Sequence, residues 1–175
     1  MNLDLASGRW PIESEKRDYL HLDKFPHPSV GCIGDVTRLP FRDNAFRVVV
    51  ASHIIEHIHW WQVVDVLREW RRVTKGWLEV QTFDFLLLCE HYRTGNLKWS
   101  ALNLDHVPGI WLNRTIFWWE GSPPRAENLH KAVYDFGFLK YRLKQAGFAW
   151  IVQVPIEYTE SYIHNGEDML VRAYK

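Results

Sequence analysis

The 175 residues carry no net charge with histidine neutral, and 47% hydrophobic against 24% charged side chains. That balance describes a globular domain with chain enough for one core, and it excludes a disordered segment. Neutrality also argues against a protein whose task is to grip nucleic acid or an anionic membrane surface, since either leaves a basic excess.

No apolar run approaches the roughly 18 residues of a membrane span. The opening "MNLDLASGRW" has no basic segment followed by a long apolar run, so no signal peptide is expected. Cys32 and Cys89 cannot build a disulfide framework; buried free thiols in a reducing, cytoplasmic compartment are expected. Ten tryptophans stand out, and Trp111, Trp118 and Trp119 hint at an aromatic wall late in the chain.

In chain order, residues 1–5 read as a short apolar strand broken by "ASGR". Residues 12–18 are polar and suit a short helix. "YLHLD", 19–23, alternates like a strand and ends on Asp23. "FPHPS" is a proline-rich connection, and 30–35 form a brief extended run. "FRVVVAS", 46–52, is the best buried strand, short and β-branched. Apolar residues at 60, 63, 64, 67, 70 and 73 keep a helical period. Residues 76–83 alternate as a strand, and "DFLLLCEHYR" reads as helix. Residues 95–130 hold no assignable element and suit a substrate or lid segment. "DFGFLKYRLKQAGF" is a helix closed by Gly147, and 149–158 and 168–175 are the last strands.

This alternation predicts an open, largely parallel α/β sheet in a single domain, 1–175. Ligands of such sheets sit beyond the carboxyl ends of the strands. Small and polar residues gather at those ends: "ASGR", Asp23, Asp35, Ser52-His53 and Asp84.

"LDLASG", "YLHLD", "GDVTRLPFRDNAFRVVVASHIIEHI" and "LREWRRVTKGWLEVQTFD" together resemble the class I S-adenosylmethionine-dependent methyltransferases, in the branch with D-L-G-x-G, D-x-x-x-L-P-F-x-D-x-S-F-D and L-E-H. "HKAVYDFGFLKYRLKQAGFAWI" is also similar to their closing segment. The resemblance implies a Rossmann-like seven-stranded, mostly parallel sheet ordered 3-2-1-4-5-7-6, with strand 7 antiparallel. It implies S-adenosyl-L-methionine as cofactor. Ala6, Ser7 and Gly8 would make the close turn at its methionine part. Asp4 would lie near its amino group. Asp23, 19 residues after Asp4, would take the ribose hydroxyls, with Lys24 beside it. Asp35 and Val36 would meet the adenine, and Ser52 and His53 would face the methionine moiety and the acceptor.

His53-Ile54-Ile55-Glu56-His57 also fits H-x-x-E-H, a pattern of zinc ligands and catalytic acid in some metallopeptidases. Such a site needs both histidines on one face of a stable helix and a third ligand from elsewhere. Here the helix period starts only near Trp60, so no metal is expected. His57 is expected to be a hydrogen-bonded structural histidine, Glu56 to make a local polar contact, and His59 to be exposed.

A sulfonium methyl needs positioning, exclusion of water and, for a hydroxyl acceptor, a base. His53, Asp84 and His130 are the candidate bases. His53 leads because it follows the fourth strand directly; the alternatives are that His53 only shapes the pocket, that Asp84 caps a helix and that His130 is a surface loop residue. The expected activity is O-directed methyl transfer to a small molecule or glycan, without nucleic acid, and with a homodimer left open. A degenerate, cofactor-binding relative is the alternative, motivated by Ala6 and Arg47 where the pattern has glycine and aspartate. A zinc hydrolase built on His53 and His57 is a distant one.

Overall fold

A computed structural model of the chain describes residues 1–8, 18–95, 116, 129–158 and 168–175. The expected helix at 12–18, the aromatic wall at Trp111, Trp118 and Trp119, and most of the 95–130 lid segment lie outside the described residues. Seven strands form one sheet: β1 (Asn2–Leu5), β2 (Tyr19–Asp23), β3 (Cys32–Ile33), β4 (Phe46–Ser52), β5 (Thr74–Phe83), β6 (Trp150–Val154) and β7 (Asp168–Tyr174). Their order is β3-β2-β1-β4-β5-β7-β6. β7 runs antiparallel to both neighbours and the other pairings are parallel. Order and direction match the expectation. Three α-helices join the strands among the described residues: α1 (Val63–Val73), α2 (Phe85–Thr94) and α3 (Phe136–Gln145).

The core follows from side-chain periodicity. Leu3 and Leu5 of β1, Val49 and Ala51 of β4, and Leu78 and Val80 of β5 share one cluster with α1 and α3. α1 turns Val63, Val66, Leu67, Trp70 and Val73 onto it, the i, i+3, i+4 and i+7 spacing of an apolar stripe. The helix begins three residues later than the period suggests. Trp60 and Trp61 lie in the preceding turn and are exposed, so the tryptophan counted into the stripe is not part of it. α2 is capped by Asp84, whose Oδ1 accepts from Leu86 N at 3.0 Å, and is ended by Gly95 at φ 71°. α3 is capped by Asp135, whose Oδ1 accepts from Phe138 N at 2.8 Å, with Gly147 at φ 97° just beyond its end. Neither cysteine is buried: Cys32 is half-buried, and Cys89 is exposed on α2.

α1 also anchors the long connection after β3. Arg72 donates to the carbonyls of Phe41 (2.7 Å) and Leu39 (3.1 Å) and to the carboxylates of Asp43 and Glu69. Glu69 Oε1 accepts from Leu39 N at 2.8 Å, and the Trp70 indole donates to the Val36 carbonyl at 2.8 Å. Those bonds hold the "LPFRD" run against the helix and so place Asp35 and Val36 beside the sheet edge. β4 and β5 slip register between Phe46 and Val48. There Gly76 packs against Arg47 so closely that a Cβ would lie 2.5 Å from the Arg47 carbonyl oxygen. Gly76→Ala should lower unfolding free energy by about 1–3 kcal/mol, the usual cost of overpacking. Urea denaturation measures it, and a variant as stable as the parent would count against this close approach.

Candidate functional site

The parallel register puts the strand ends in a row. Leu5 pairs with Leu22 and with Ala51, and Leu22 pairs with Cys32. The next residues, Ala6, Asp23, Ile33 and Ser52, therefore stand side by side at the carboxyl edge. Neighbouring strands lie about 4.8 Å apart.

The turn after β1 is left-handed at two points, Ala6 (φ 55°) and Gly8 (φ 56°). Gly8 N donates to Asp23 Oδ2 at 2.9 Å, and Ser7 N donates to the Leu22 carbonyl at 3.2 Å. The other Asp23 oxygen accepts from Phe25 N at 2.9 Å. Each carboxylate oxygen keeps a second lone pair for a hydroxyl ligand. Gly34 N donates to the Asp23 carbonyl at 2.9 Å, which draws Asp35 to the same edge. Asp35 is exposed, and its Oδ1 accepts from Thr37 N (2.8 Å) and Thr37 Oγ1 (2.7 Å). The Thr37 backbone bond leads the causes that hold Asp35 below its ordinary value. Gly8, Asp23 and Asp35 are thus brought together. Val36 is half-buried beside them, and Lys24 is exposed with its ammonium 6.0 Å from the Phe25 ring. Asp4 is buried one pleat back, its Oδ2 3.0 Å from His21 Nδ1. Ser7 Oγ is buried without a hydrogen-bond partner among the described residues.

At the β4 end, His53 sits at φ 48°, a conformation unusual for a non-glycine residue. Its ring is clasped at both nitrogens. Nδ1 lies 3.1 Å from Glu56 Oε1 and Nε2 lies 3.0 Å from Asp168 Oδ2. Burial opposes charge on this ring, but the hydrogen bonds and charges of Asp168 and Glu56 outweigh it and raise its pKa to about 10. A doubly donating imidazolium has no lone pair with which to take a proton. Glu56 is fully enclosed in the 3-10 turn Ile55–His57. Burial acts to raise its pKa, yet His53 brings it down to about 2. Its second oxygen accepts from Thr82 Oγ1 at 3.0 Å. Gln81 Nε2 donates to Asp168 Oδ2 at 2.8 Å, and Ser52 Oγ to Gln81 Oε1 at 3.4 Å.

Asp84 spends its carboxylate on the α2 cap, as one of the two readings of the sequence expected. His130 is half-buried; its ring is 4.8 Å from that of His57 and 5.7 Å from that of Phe83. With Glu56, Thr82, Phe83 and Tyr134 it lines a small cavity. The Tyr134 hydroxyl is buried there with no hydrogen-bond partner among the described residues, and burial raises its pKa. His53 and His57 do not form a pair: one is clasped by carboxylates and the other turns to His130. His59 is half-buried and stacked on Trp61, not exposed. Sequence reasoning missed Gln81, Thr82, Tyr134 and Asp168. Asp168 is 115 positions from His53, and no local pattern marks it.

Residues 15–76 match the family model described as a methyltransferase domain. Among solved structures, a Methanosarcina mazei S-adenosylmethionine-dependent methyltransferase aligns with TM-score 0.61 at 15% identity, covering 99% of this chain and 91% of the other. A Burkholderia thailandensis 1,6-didemethyltoxoflavin N1-methyltransferase, solved with S-adenosylhomocysteine, aligns with TM-score 0.59 at 14% identity, covering 99% and 70%. A curated protein of Gemmatimonas aurantiaca, named as a phosphoribosyl imidazole-4-carboxamide isomerase, is 28% identical over 123 residues, 63% of this chain and 52% of that protein. The chain thus spans about half the length of that relative, and 51% of a similar Nostoc punctiforme structure. The sheet order and the aligned structures agree on the fold, the Rossmann-like fold of S-adenosylmethionine-dependent methyltransferases, and residues 15–76 are similar to a methyltransferase domain. Among the described residues no helix is long and apolar enough to cross a membrane.

The family pattern places a glycine where Ala6 adopts its positive φ, so the alanine is strained as well as bulky. Ala6→Gly should raise stability by about 1 kcal/mol, the cost of a left-handed L-residue; thermal denaturation reads it, and a loss of stability would contradict it. In chelator-treated protein the His53 charge should stabilise the fold fully below the ordinary histidine value of 6.5 and be lost as pH rises through about 10. The Glu56 contribution should be full above its ordinary 4.5 and be lost as pH falls through about 2. His53→Gln should cost about 3–5 kcal/mol and flatten the alkaline limb of the stability profile, because it breaks a buried pair. A pH profile identical to that of the parent would dismiss the clasp.

Proposed function

We propose that the protein is an S-adenosylmethionine-dependent methyltransferase acting on a hydroxyl of a small molecule or glycan. The single observation carrying this reading is the meeting of the Ala6–Gly8 turn, Asp23 and Asp35 on adjoining strand ends. A nucleoside sulfonium needs that set: close backbone, a carboxylate for paired hydroxyls, and an acceptor for an exocyclic amine. Asp23 keeps lone pairs for the ribose, Ser7 supplies a hydroxyl, and Asp35 and Val36 border the adenine position. The Methanosarcina protein is described as S-adenosylmethionine-dependent and the Burkholderia enzyme was solved with the demethylated cofactor, which supports the same cofactor here.

His53 enters this reading as a fixed cation that holds the β4, β5 and β7 ends together, in place of the base expected from its position. Asp84 enters as a helix cap. Of the three candidate bases, His130 is the one that lines the cavity beyond β5. The sulfonium methyl is electrophilic without help, so orientation supplies most of the acceleration; well-ordered proximity is worth roughly 7–11 kcal/mol. A cofactor-binding protein without turnover is the second reading, favoured by the strained Ala6.

Titration calorimetry with S-adenosylmethionine should show one site per chain. Asp23→Ala should weaken it about 10- to 100-fold, the range for hydrogen bonds to a charged group. An Asp23 variant that binds like the parent would remove the nucleoside site, and labelled-methyl transfer to hydroxylated acceptors separates an enzyme from a binder.

A further inference from the structure

We propose that Glu56, His57 and His130 form a binding site for one divalent transition-metal ion of the zinc class. One ligand atom from each of the three lies within 4.8 Å of the others. Tetrahedral zinc holds its ligand atoms about 3.4 Å apart, so a contraction of roughly 1.5 Å completes the set. Imidazole rotation supplies a movement of that size.

The surroundings are those a metal site requires. His57 Nδ1 is buried and has no hydrogen-bond partner among the described residues. In the neutral tautomer protonated at Nε2, Nδ1 offers its lone pair to an ion. Ligating carboxylates are themselves hydrogen-bonded. Glu56 takes one bond on each oxygen, from His53 at 3.1 Å and Thr82 at 3.0 Å, and keeps a second lone pair on each. The main chain joins the two halves of the site. Lys131 N and Ala132 N both donate to the Glu56 carbonyl, at 2.7 and 3.2 Å, and hold the segment bearing His130 against the turn bearing Glu56 and His57. The H-x-x-E-H spacing nominates His53 with His57; the tertiary structure replaces His53 with His130.

Two imidazoles and a carboxylate leave one position of a tetrahedral ion open. The small cavity bordered by Glu56, His130 and Tyr134 has room for about one water, which would fill the open position as an oxygen ligand. Ion binding does not depend on the methyltransferase reading. The role does: Glu56, His57 and His130 would hold an ion that lowers the pKa of an acceptor hydroxyl displacing that water, so that its proton would pass to solvent while its oxygen bonds to the methyl carbon, the methyl–sulfur bond breaks and S-adenosylhomocysteine leaves.

The test is calorimetric titration of the chelator-treated full chain with Zn²⁺, with Co²⁺ absorption reporting coordination geometry. One equivalent should bind and raise the melting temperature. His57→Ala and His130→Gln should each weaken binding by about 100-fold or more, while His59→Ala leaves it unchanged. Circular dichroism confirms that each variant is folded, and His130→Gln carries the test should His57→Ala fail to fold. No stoichiometric uptake, or uptake unchanged in both histidine variants, overturns the site. S-adenosylmethionine titrated into the same samples separates the two readings: cofactor binding without zinc uptake removes only the metal site, and zinc uptake without cofactor binding removes only the methyltransferase assignment.

Discussion

A buried charge is tolerated only when it is paired, and His53 is the buried charge around which the upper edge of this sheet is organised. Its two ring nitrogens face carboxylates from different parts of the chain, Glu56 just after β4 and Asp168 at the start of β7. Removing either partner would leave a charge with too little compensation. The clasp therefore fixes the β4 exit relative to β5 and β7. Through Thr82 and Gln81 it also engages both faces of β5. The positive φ of His53 is held by the same contacts, as expected for strain that its surroundings over-determine.

On the other half of the sheet a different device does the same job. The β3–β4 connection has little regular structure, yet Arg72, Glu69 and Trp70 of α1 bind its backbone at Leu39, Phe41 and Val36. A helix rigidly packed by Trp70 and Leu67 thereby sets where Asp35 lies. The nucleoside end of the proposed site is thus positioned by backbone hydrogen bonds to a helix, and the acceptor end by a buried ionic network. Between them, Asp23 and Gly8 join β1 and β2 directly.

The departures from the family pattern acquire physical meaning in this frame. Ala6 occupies a left-handed turn that glycine would adopt freely. Arg47 stands at an exposed position of β4, its guanidinium 5.9 Å from the Trp77 ring, beside the register slip that Gly76 makes room for. Neither change disturbs the sheet order. The first bears on how closely a cofactor approaches, and the second on the strands' amino-terminal side, away from the proposed site.

The sequence by itself determined the sheet. β-branched runs, helical periods and the small or acidic residues at strand exits are local signals, and they carried the strand order once the family resemblance was seen. Asp84 as a cap and Gly147 as a helix stop were legible for the same reason. Element edges drifted by a few residues, as with Trp60, because a hydrophobic period does not record where backbone hydrogen bonding begins. The tertiary structure decided everything that depends on distance along the chain: which carboxylates meet His53, that His57 turns to His130, and that Thr82 and Tyr134 face the same cavity. Strand register and crossover geometry bring His53 to Asp168 and His57 to His130, each pair more than 70 positions apart, and such contacts leave no trace in local spacing.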